Sequence, residues 1–197
     1  MNEWVALLAA CAVAYLAHAV ALTRACLRAL RSRASRGGQP TVSVIVCIKD
    51  DAEHWPAWWT AMKRQQWPAG TEVIAIDDGS ADELPALLTR AAQDEVAFAF
   101  SHHRLDGTSP GKRDALRFGV GQASGEWLLF TDVDCQPAGP AWASEMTAGH
   151  PDDVAAVLGV SWPKDGAPAT GLARVQALDA LYIMRSYVGW AERGKPY

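Results

Sequence analysis

Six carboxylates in this chain come in close pairs, each following a short apolar run. Asp50 and Asp51 follow Val42–Ile48, Asp77 and Asp78 follow Glu72–Ile76, and Asp132 and Asp134 follow Trp127–Phe130. A buried strand cannot hold two unpaired charges, so each pair belongs just beyond a strand end. Two carboxylates fixed there are hard oxygen donors suited to Mg²⁺ or Mn²⁺. By itself Asp132-Val133-Asp134 is a polar turn more often than a metal site. Lys112 and Arg113 add cations that could pair with a diphosphate, although solvated charges at a helix start would look the same. A metal on Asp132 and Asp134 would neutralise diphosphate oxygens and stabilise a leaving nucleoside diphosphate. Asp77 or Asp78 could accept hydrogen bonds from a base N–H or a ribose hydroxyl.

These groups need elements to bring them together. Val42–Ile48 is β-branched and almost wholly apolar, which suits a buried parallel strand. Glu72–Ile76, Val96–Phe100, Trp127–Phe130 and Val154–Val160 read as further strands. Trp55, Trp58, Trp59 and Met62 recur at helical spacing behind Pro56, and Leu84, Leu87, Leu88 and Ala91 do so within 81–92. Residues 110–123 read as a loop entering a helix that Gly125 ends, 142–148 as a short helix, and 172–190 as a longer one. Alternation of this kind describes an α/β, Rossmann-like sheet with helices on both faces. Right-handed crossovers put all the parallel strands' C-terminal ends on one edge, where the three acidic pairs would converge. Three acidic strand ends at one crevice are much less expected by chance than one.

Composition bounds the function. The 197 residues are half hydrophobic and one-fifth charged, which is a folded chain of about one ordinary domain. Residues 24–40 hold five arginines and no acid, so with −4 overall the remainder carries −9. That distribution argues against a nucleic-acid-binding face on the main domain. Cys11, Cys26, Cys47 and Cys135 have neither Cys-x-x-Cys nor metal-ligand spacing, so reduced thiols are expected. Trp4–Thr23 is uncharged and long enough, at about 1.5 Å per residue, to cross roughly 30 Å of hydrocarbon. Glu3 precedes it and the arginines follow it, so it reads as an uncleaved single-pass anchor with a cytoplasmic basic flank. The expected organisation is an anchor at 1–23, a basic linker at 24–40, a nucleotide-binding domain at 41–165 and a helical segment at 166–197. Gly107 and Gly111 lie one residue too close for a P-loop, and Gly119-Val-Gly121 ends a helix instead of opening one, so neither an ATPase nor a dehydrogenase is indicated. A nucleotidyltransferase would need a basic, Gly-rich loop where Lys49-Asp50-Asp51 stands.

Val42–Ile48, then Val73-Ile-Ala-Ile-Asp-Asp-Gly-Ser80, then Gly111-Lys-Arg-Asp-Ala-Leu116, then Gly125-Glu-Trp-Leu-Leu-Phe-Thr-Asp-Val-Asp134 resemble, in order and spacing, the family-2 glycosyltransferases of the GT-A fold. The resemblance covers about residues 41–160. It implies a nucleotide-diphosphate-sugar donor, an inverting transfer, and a Mg²⁺ or Mn²⁺ ion. Carried over residue by residue, Asp50 or Asp51 and Asp78 meet the nucleoside, Lys112 lies near the nucleotide, and Asp132 and Asp134 serve the ribose and the metal. The family's first loop usually reads Asn-Glu or Asp-Glu; Lys49-Asp50-Asp51 here leaves open which Asp meets the nucleoside. The anchor fits relatives that build lipid-linked or cell-envelope glycans at the inner face of the plasma membrane. Chain end at Tyr197 falls before the acceptor half expected of the family, so no general base is assignable, and Asp179 and Glu192 read as helix-surface charges. The competing expectation is a membrane-tethered nucleotide-sugar-binding module without turnover.

Overall fold

The computed structural model describes residues 2–31, 40–106, 111–147, 150, 154–157, 159, 161 and 171–194. They divide into two compact units, one of residues 34–157 and one of residues 1–33 with 158–197.

The larger unit is built on a four-stranded, wholly parallel sheet: β1 (Val42–Ile48), β2 (Glu72–Asp77), β3 (Ala99–Arg104) and β4 (Trp127–Thr131), in the order β3-β2-β1-β4. The helices are α2 (Trp55–Lys63), α3 (Leu84–Ala91), α4 (Lys112–Gln122) and α5 (Trp142–Thr147). Side chains of β2 alternate between two cores, as the pleat requires. Val73 and Ala75 join the larger core with Trp55, Trp58, Trp59, Met62, Leu84 and Leu88 of α2 and α3, whereas Ile74 and Ile76 join a smaller one with Ala115 of α4. Helices therefore cover both faces, as the alternation of the sequence implies. The tryptophans are core residues: Trp55 stacks on Trp58 and Trp59 with centroids 5.3 and 5.4 Å apart.

Three elements differ from the sequence reading. The third strand is Ala99–Arg104, not Val96–Phe100, because pairing with β2 runs from Glu72–Ala99 to Asp77–Arg104. This edge strand exposes part of every residue, so it needs no apolar run and Ser101-His102-His103-Arg104 suffices. Helix α3 begins at Leu84, not 81, because Asp82 Oδ1 accepts the Leu84 N–H at 3.0 Å and holds residues 81–83 in a turn ahead of Pro85. The strand expected at 154–160 is not formed by its described residues: 154–157 have no regular structure and Ala155 and Ala156 are exposed. Two alanines at its centre give it little strand preference.

In the smaller unit, α1 (Asn2–Arg31) packs against α6 (Gly171–Ala191). The segment Trp4–Arg28 is long and apolar enough to cross a membrane. The helix does not stop at the arginines: Ala, Leu and Arg are all strong helix formers, so residues 24–31 continue it instead of opening a linker. Residues 32–39 of the expected linker lie outside the described residues. Asp179 and Glu192 are exposed, in α6 and just after it.

Candidate functional site

In the strand order, the chain steps from β1 outward to β2 and β3, then returns to the other side of β1 for β4. The point where the direction reverses leaves a gap beyond the strand C-termini, the usual ligand crevice of such sheets. Ile48 pairs with Asp77 on one side, and Val46 pairs with Thr131 on the other. The loops after β1, β2 and β4 therefore meet there.

The loop after β1 is fixed by side chains. Asp50 has φ +50°, a left-handed conformation that Asp tolerates better than most residues. Its N–H donates to Ser80 Oγ at 2.9 Å and its carboxylate accepts the Ala81 N–H at 2.7 Å. The Ala52 N–H donates to Asp82 at 2.8 Å. Asp50 thus ties the β1 loop to the β2 loop and does not line the crevice. Gly79, at φ +73°, supplies the tight turn inside Asp77-Asp78-Gly79-Ser80 that makes this possible.

Asp77 and Asp78 have opposite environments. Asp77, 1% exposed, points into a closed network: Oδ1 accepts the Ser80 N–H at 2.7 Å, Oδ2 accepts Arg104 Nη1 at 2.8 Å, and Arg104 Nη2 donates to the Ser80 carbonyl at 2.8 Å. Asp78 lines the crevice, and its side chain is 5% exposed. Its N–H donates to the Ile48 carbonyl at 2.9 Å, Oδ2 lies 3.9 Å from Lys49 Nζ, and Oδ1 is buried with no hydrogen-bond partner among the described residues. A buried carboxylate oxygen without a donor is costly unless a bound group supplies one.

Asp51, Asp78, Lys112, Asp132 and Asp134 surround an open crevice of about 240 Å³, with Cys47, Ile48, Lys49 and Val133 completing its walls. Lys112 opens α4, and its Nζ lies 2.5 Å from Asp132 Oδ1. That hydrogen bond holds the lysine above its usual pKa. Donor atoms of Asp132, Asp134 and Cys135 come within 4.8 Å of one another. Two carboxylates on one rigid strand end fit a hard divalent cation. Burial and the neighbouring Asp134 push the Cys135 thiol up, and its soft sulfur suits such a hard ion poorly. Burial also pushes the Cys47 thiol up to about 11. At the rim, Asp51 bonds His54 Nδ1, which raises the imidazole's pKa.

Five of the eight residues expected from the sequence are thus brought together. Asp50 and Asp77 brace the loops instead, and Arg113 is exposed and does not line the crevice. Sequence reasoning passed over Lys49, His54 and Arg104 as parts of the site. His54 sits three residues after Asp51 at the start of α2, a spacing that was open to inspection; Arg104 faces Asp77 only through the strand register.

Comparison with known proteins identifies the family of this chain. Residues 43–188 match the description of glycosyl transferase family 2. The chain is 33% identical over 113 residues to an uncharacterized glycosyltransferase of Mycobacterium tuberculosis, covering 56% of this chain and 41% of the relative. It is 25% identical over 143 residues to the undecaprenyl-phosphate 4-deoxy-4-formamido-L-arabinose transferase of Yersinia pestis, covering 72% of this chain and 39% of that one. The mannosyltransferase of Pyrobaculum calidifontis, solved with GDP-Man and Mn²⁺, superposes with a TM-score of 0.53 at 25% identity, covering 69% of this chain and 43% of that one. The chain spans about two-fifths of the length of these relatives. With the matching profile running through β1, the Asp-Asp-Gly-Ser turn, Lys112 and the Asp-x-Asp strand end, the chain belongs to glycosyl transferase family 2.

Proposed function

We propose that the crevice between β1, β2 and β4 binds a nucleotide-diphosphate sugar with one divalent cation. The sugar would be donated, with inversion, to a lipid-linked or cell-envelope acceptor. The observation that carries this reading is the orphaned Oδ1 of Asp78, a buried acceptor lining the same crevice as two strand-end carboxylates and a lysine. A nucleoside offers that oxygen an N–H or O–H donor. Asp132 and Asp134 would hold Mn²⁺ or Mg²⁺, which when bound neutralises the diphosphate and favours its departure. Lys112 supplies a further positive charge at the first turn of α4, and Asp51, braced by His54, closes the rim. In the transfer, an acceptor hydroxyl oxygen bonds to the anomeric carbon and gives up its proton to solvent, while that carbon's bond to the diphosphate breaks and its electron pair leaves with the nucleoside diphosphate. The protein's share is positioning and charge stabilisation. The relative with GDP-Man and Mn²⁺ supports the donor and metal, and the lipid-phosphate transferase supports the acceptor class.

The same reading makes α1 a single-pass anchor of the plasma membrane. Its arginine-rich end lies in the cytoplasm, in line with the excess of basic residues on the inner side of membranes. A reporter fused after Arg36 should signal from the cytoplasm, and an outside signal would reverse the orientation.

Calorimetric titration of UDP and GDP, each with and without Mn²⁺, tests the donor site. Metal-dependent binding of one nucleotide, lost in Asp134→Ala and weakened in Asp78→Asn, is expected. Metal-independent binding, or none of either nucleotide, would overturn the reading.

A further inference from the structure

A further cavity lies in the unit formed by α1 and α6, apart from the proposed donor crevice. It measures about 570 Å³ and is lined by Ala21, Arg24, Leu27, Arg28 and Arg193. We propose that Arg24, Arg28 and Arg193 form a receptor for the phosphate headgroup of an anionic membrane lipid. The inference rests on the reading of α1 as a membrane helix.

Three observations converge on it. The first is charge. Three guanidiniums face one cavity, and among the described residues none of the three is ion-paired. Three cations held together without an ion-pair partner among the described residues repel one another and are relieved by an anion. A guanidinium pairs with phosphate through two parallel hydrogen bonds, so a cluster of them matches a phosphate better than a carboxylate or a halide.

The second is construction. Gly189 of α6 meets Leu22 of α1 so closely that a Cβ there would lie 2.8 Å from the Leu22 carbonyl oxygen. The chain turns just beyond α6, and Arg193 lies over the Trp190 ring with its Cζ 5.5 Å from the centroid. Trp190 in turn lies 5.4 Å from His18 of α1. A cation–π contact of this kind restrains a side chain that would otherwise sample many rotamers. Arg193 is thereby brought to the arginines of α1 from a position far away in sequence.

The third is placement. Arg24 and Arg28 stand at the end of the Trp4–Arg28 segment, whose outer turns expose Trp4, Leu8, Val13 and Leu16. The cavity therefore sits where the hydrocarbon ends and the headgroups begin. Its remaining walls, Ala21 and Leu27, are apolar, and Leu27 is 45% exposed. A soluble phosphate would leave that apolar wall unused, whereas the first carbons of an acyl chain would cover it. Basic pockets between helices at the inner membrane surface take lipid headgroups for these reasons.

Reconstitution of the full chain into nanodiscs of phosphatidylcholine and phosphatidylglycerol in equal parts, with native mass spectrometry of the retained lipid, tests this. Preferential retention of phosphatidylglycerol is expected, falling about fivefold in Arg193→Gln. The preference should vanish in the Arg24→Gln/Arg28→Gln/Arg193→Gln triple variant. Arg193→Gln leaves the arginines of α1 untouched, so its loss cannot be ascribed to a change in helix insertion. Millimolar inorganic phosphate should not displace the lipid; displacement would make this a soluble-anion site and overturn the proposal. Equal retention of the two lipids, or an unchanged preference in the triple variant, would overturn it too. Flotation on pure phosphatidylcholine vesicles reads the anchor separately. It should be the same for the wild type and the triple variant, and failure of the wild type to float would remove the membrane premise and the proposal with it.

Discussion

Lys112 Nζ lies 2.5 Å from Asp132 Oδ1, so the first residue of α4 neutralises one of the two carboxylates at the end of β4. A divalent cation that uses this oxygen has to compete with the ammonium, which is then available to a phosphate oxygen. Replacement of Lys112 by Met should tighten Mn²⁺ binding in the absence of nucleotide by a few-fold. It should weaken binding of the nucleoside diphosphate in the presence of Mn²⁺ by about tenfold, the scale of one hydrogen bond to a charged group. Titration calorimetry reads both. Weakening of both affinities would mean that the lysine supports the metal instead of competing with it.

Asp77 is closed off by Arg104 and Ser80, and its role is to hold the Asp-Asp-Gly-Ser turn. Arg104→Met leaves a nearly buried carboxylate short of its ion partner. It should cost about 1–3 kcal/mol, below the cost for a fully buried pair because Arg104 is half exposed. In a double-mutant cycle with Asp77→Asn the double variant should lose less stability than the sum of the two single losses. Denaturant unfolding measures the coupling; strict additivity would show that the pair is not an energetic unit.

Glu72 links β1 to the turn before β4. It accepts hydrogen bonds from Ser43 Oγ at 2.6 Å, Ser124 N–H at 2.7 Å and Ser124 Oγ at 2.8 Å. Burial pushes its pKa up, the bonds from Ser43 and Ser124 outweigh this, and the net pKa lies below 4.5. A depressed folded-state pKa contributes stability that is present above the unfolded value and is lost as pH falls through the folded one. Glu72→Gln should therefore cost roughly 1 kcal/mol at pH 7 and progressively less as pH falls below about 4.5. Thermal melts of both proteins from pH 7 to pH 3 should converge; parallel curves would contradict the assignment.

Two neighbouring tryptophans of α2 should respond differently to Phe. The Trp58 Nε1 proton is buried with no acceptor among the described residues, whereas Trp59 Nε1 donates to Asp94 at 2.7 Å. Trp58→Phe leaves a small void but removes an unsatisfied donor, and these effects oppose each other. The cost of Trp59→Phe should exceed that of Trp58→Phe by about 1 kcal/mol in urea unfolding.

The strand ends were legible because apolar residues give way abruptly to charge there, although β4 is not the buried strand this pattern suggests: at the sheet edge its Leu128 is 36% and its Phe130 49% exposed. Trp127–Phe130 followed by Asp132 and Asp134 announces both a strand and its exit, and β4 lies where that reading puts it, with Thr131 added. The choice within each acidic pair was not legible. Asp77 and Asp78 are adjacent and chemically identical, and their roles separate because the pleat turns them to opposite sides and Arg104 waits on one of them. The same holds for Asp50 and Asp51, whose division of labour depends on a left-handed backbone and on Ser80 and Ala81, some thirty residues away. Edge strand β3 was displaced in the reading for a related reason. An apolar-run search finds Val96–Phe100, but the hydrogen-bonding partner of β2 is the polar stretch that follows. Local pattern thus locates the crevice, and long-range register decides who faces it.

The strand order β3-β2-β1-β4 also sets a timetable for synthesis. As the chain leaves the ribosome, β1 can pair with β2 and β2 with β3 while the other side of β1 still lacks its neighbour. The contact between Val42 and Trp127 closes the longest loop in the sheet, so its entropy cost is met last. Until β4 has emerged, β1 presents an open, apolar edge, the arrangement most exposed to mispairing. The crevice, which needs the loop after β4, is therefore the final piece of the sheet to form.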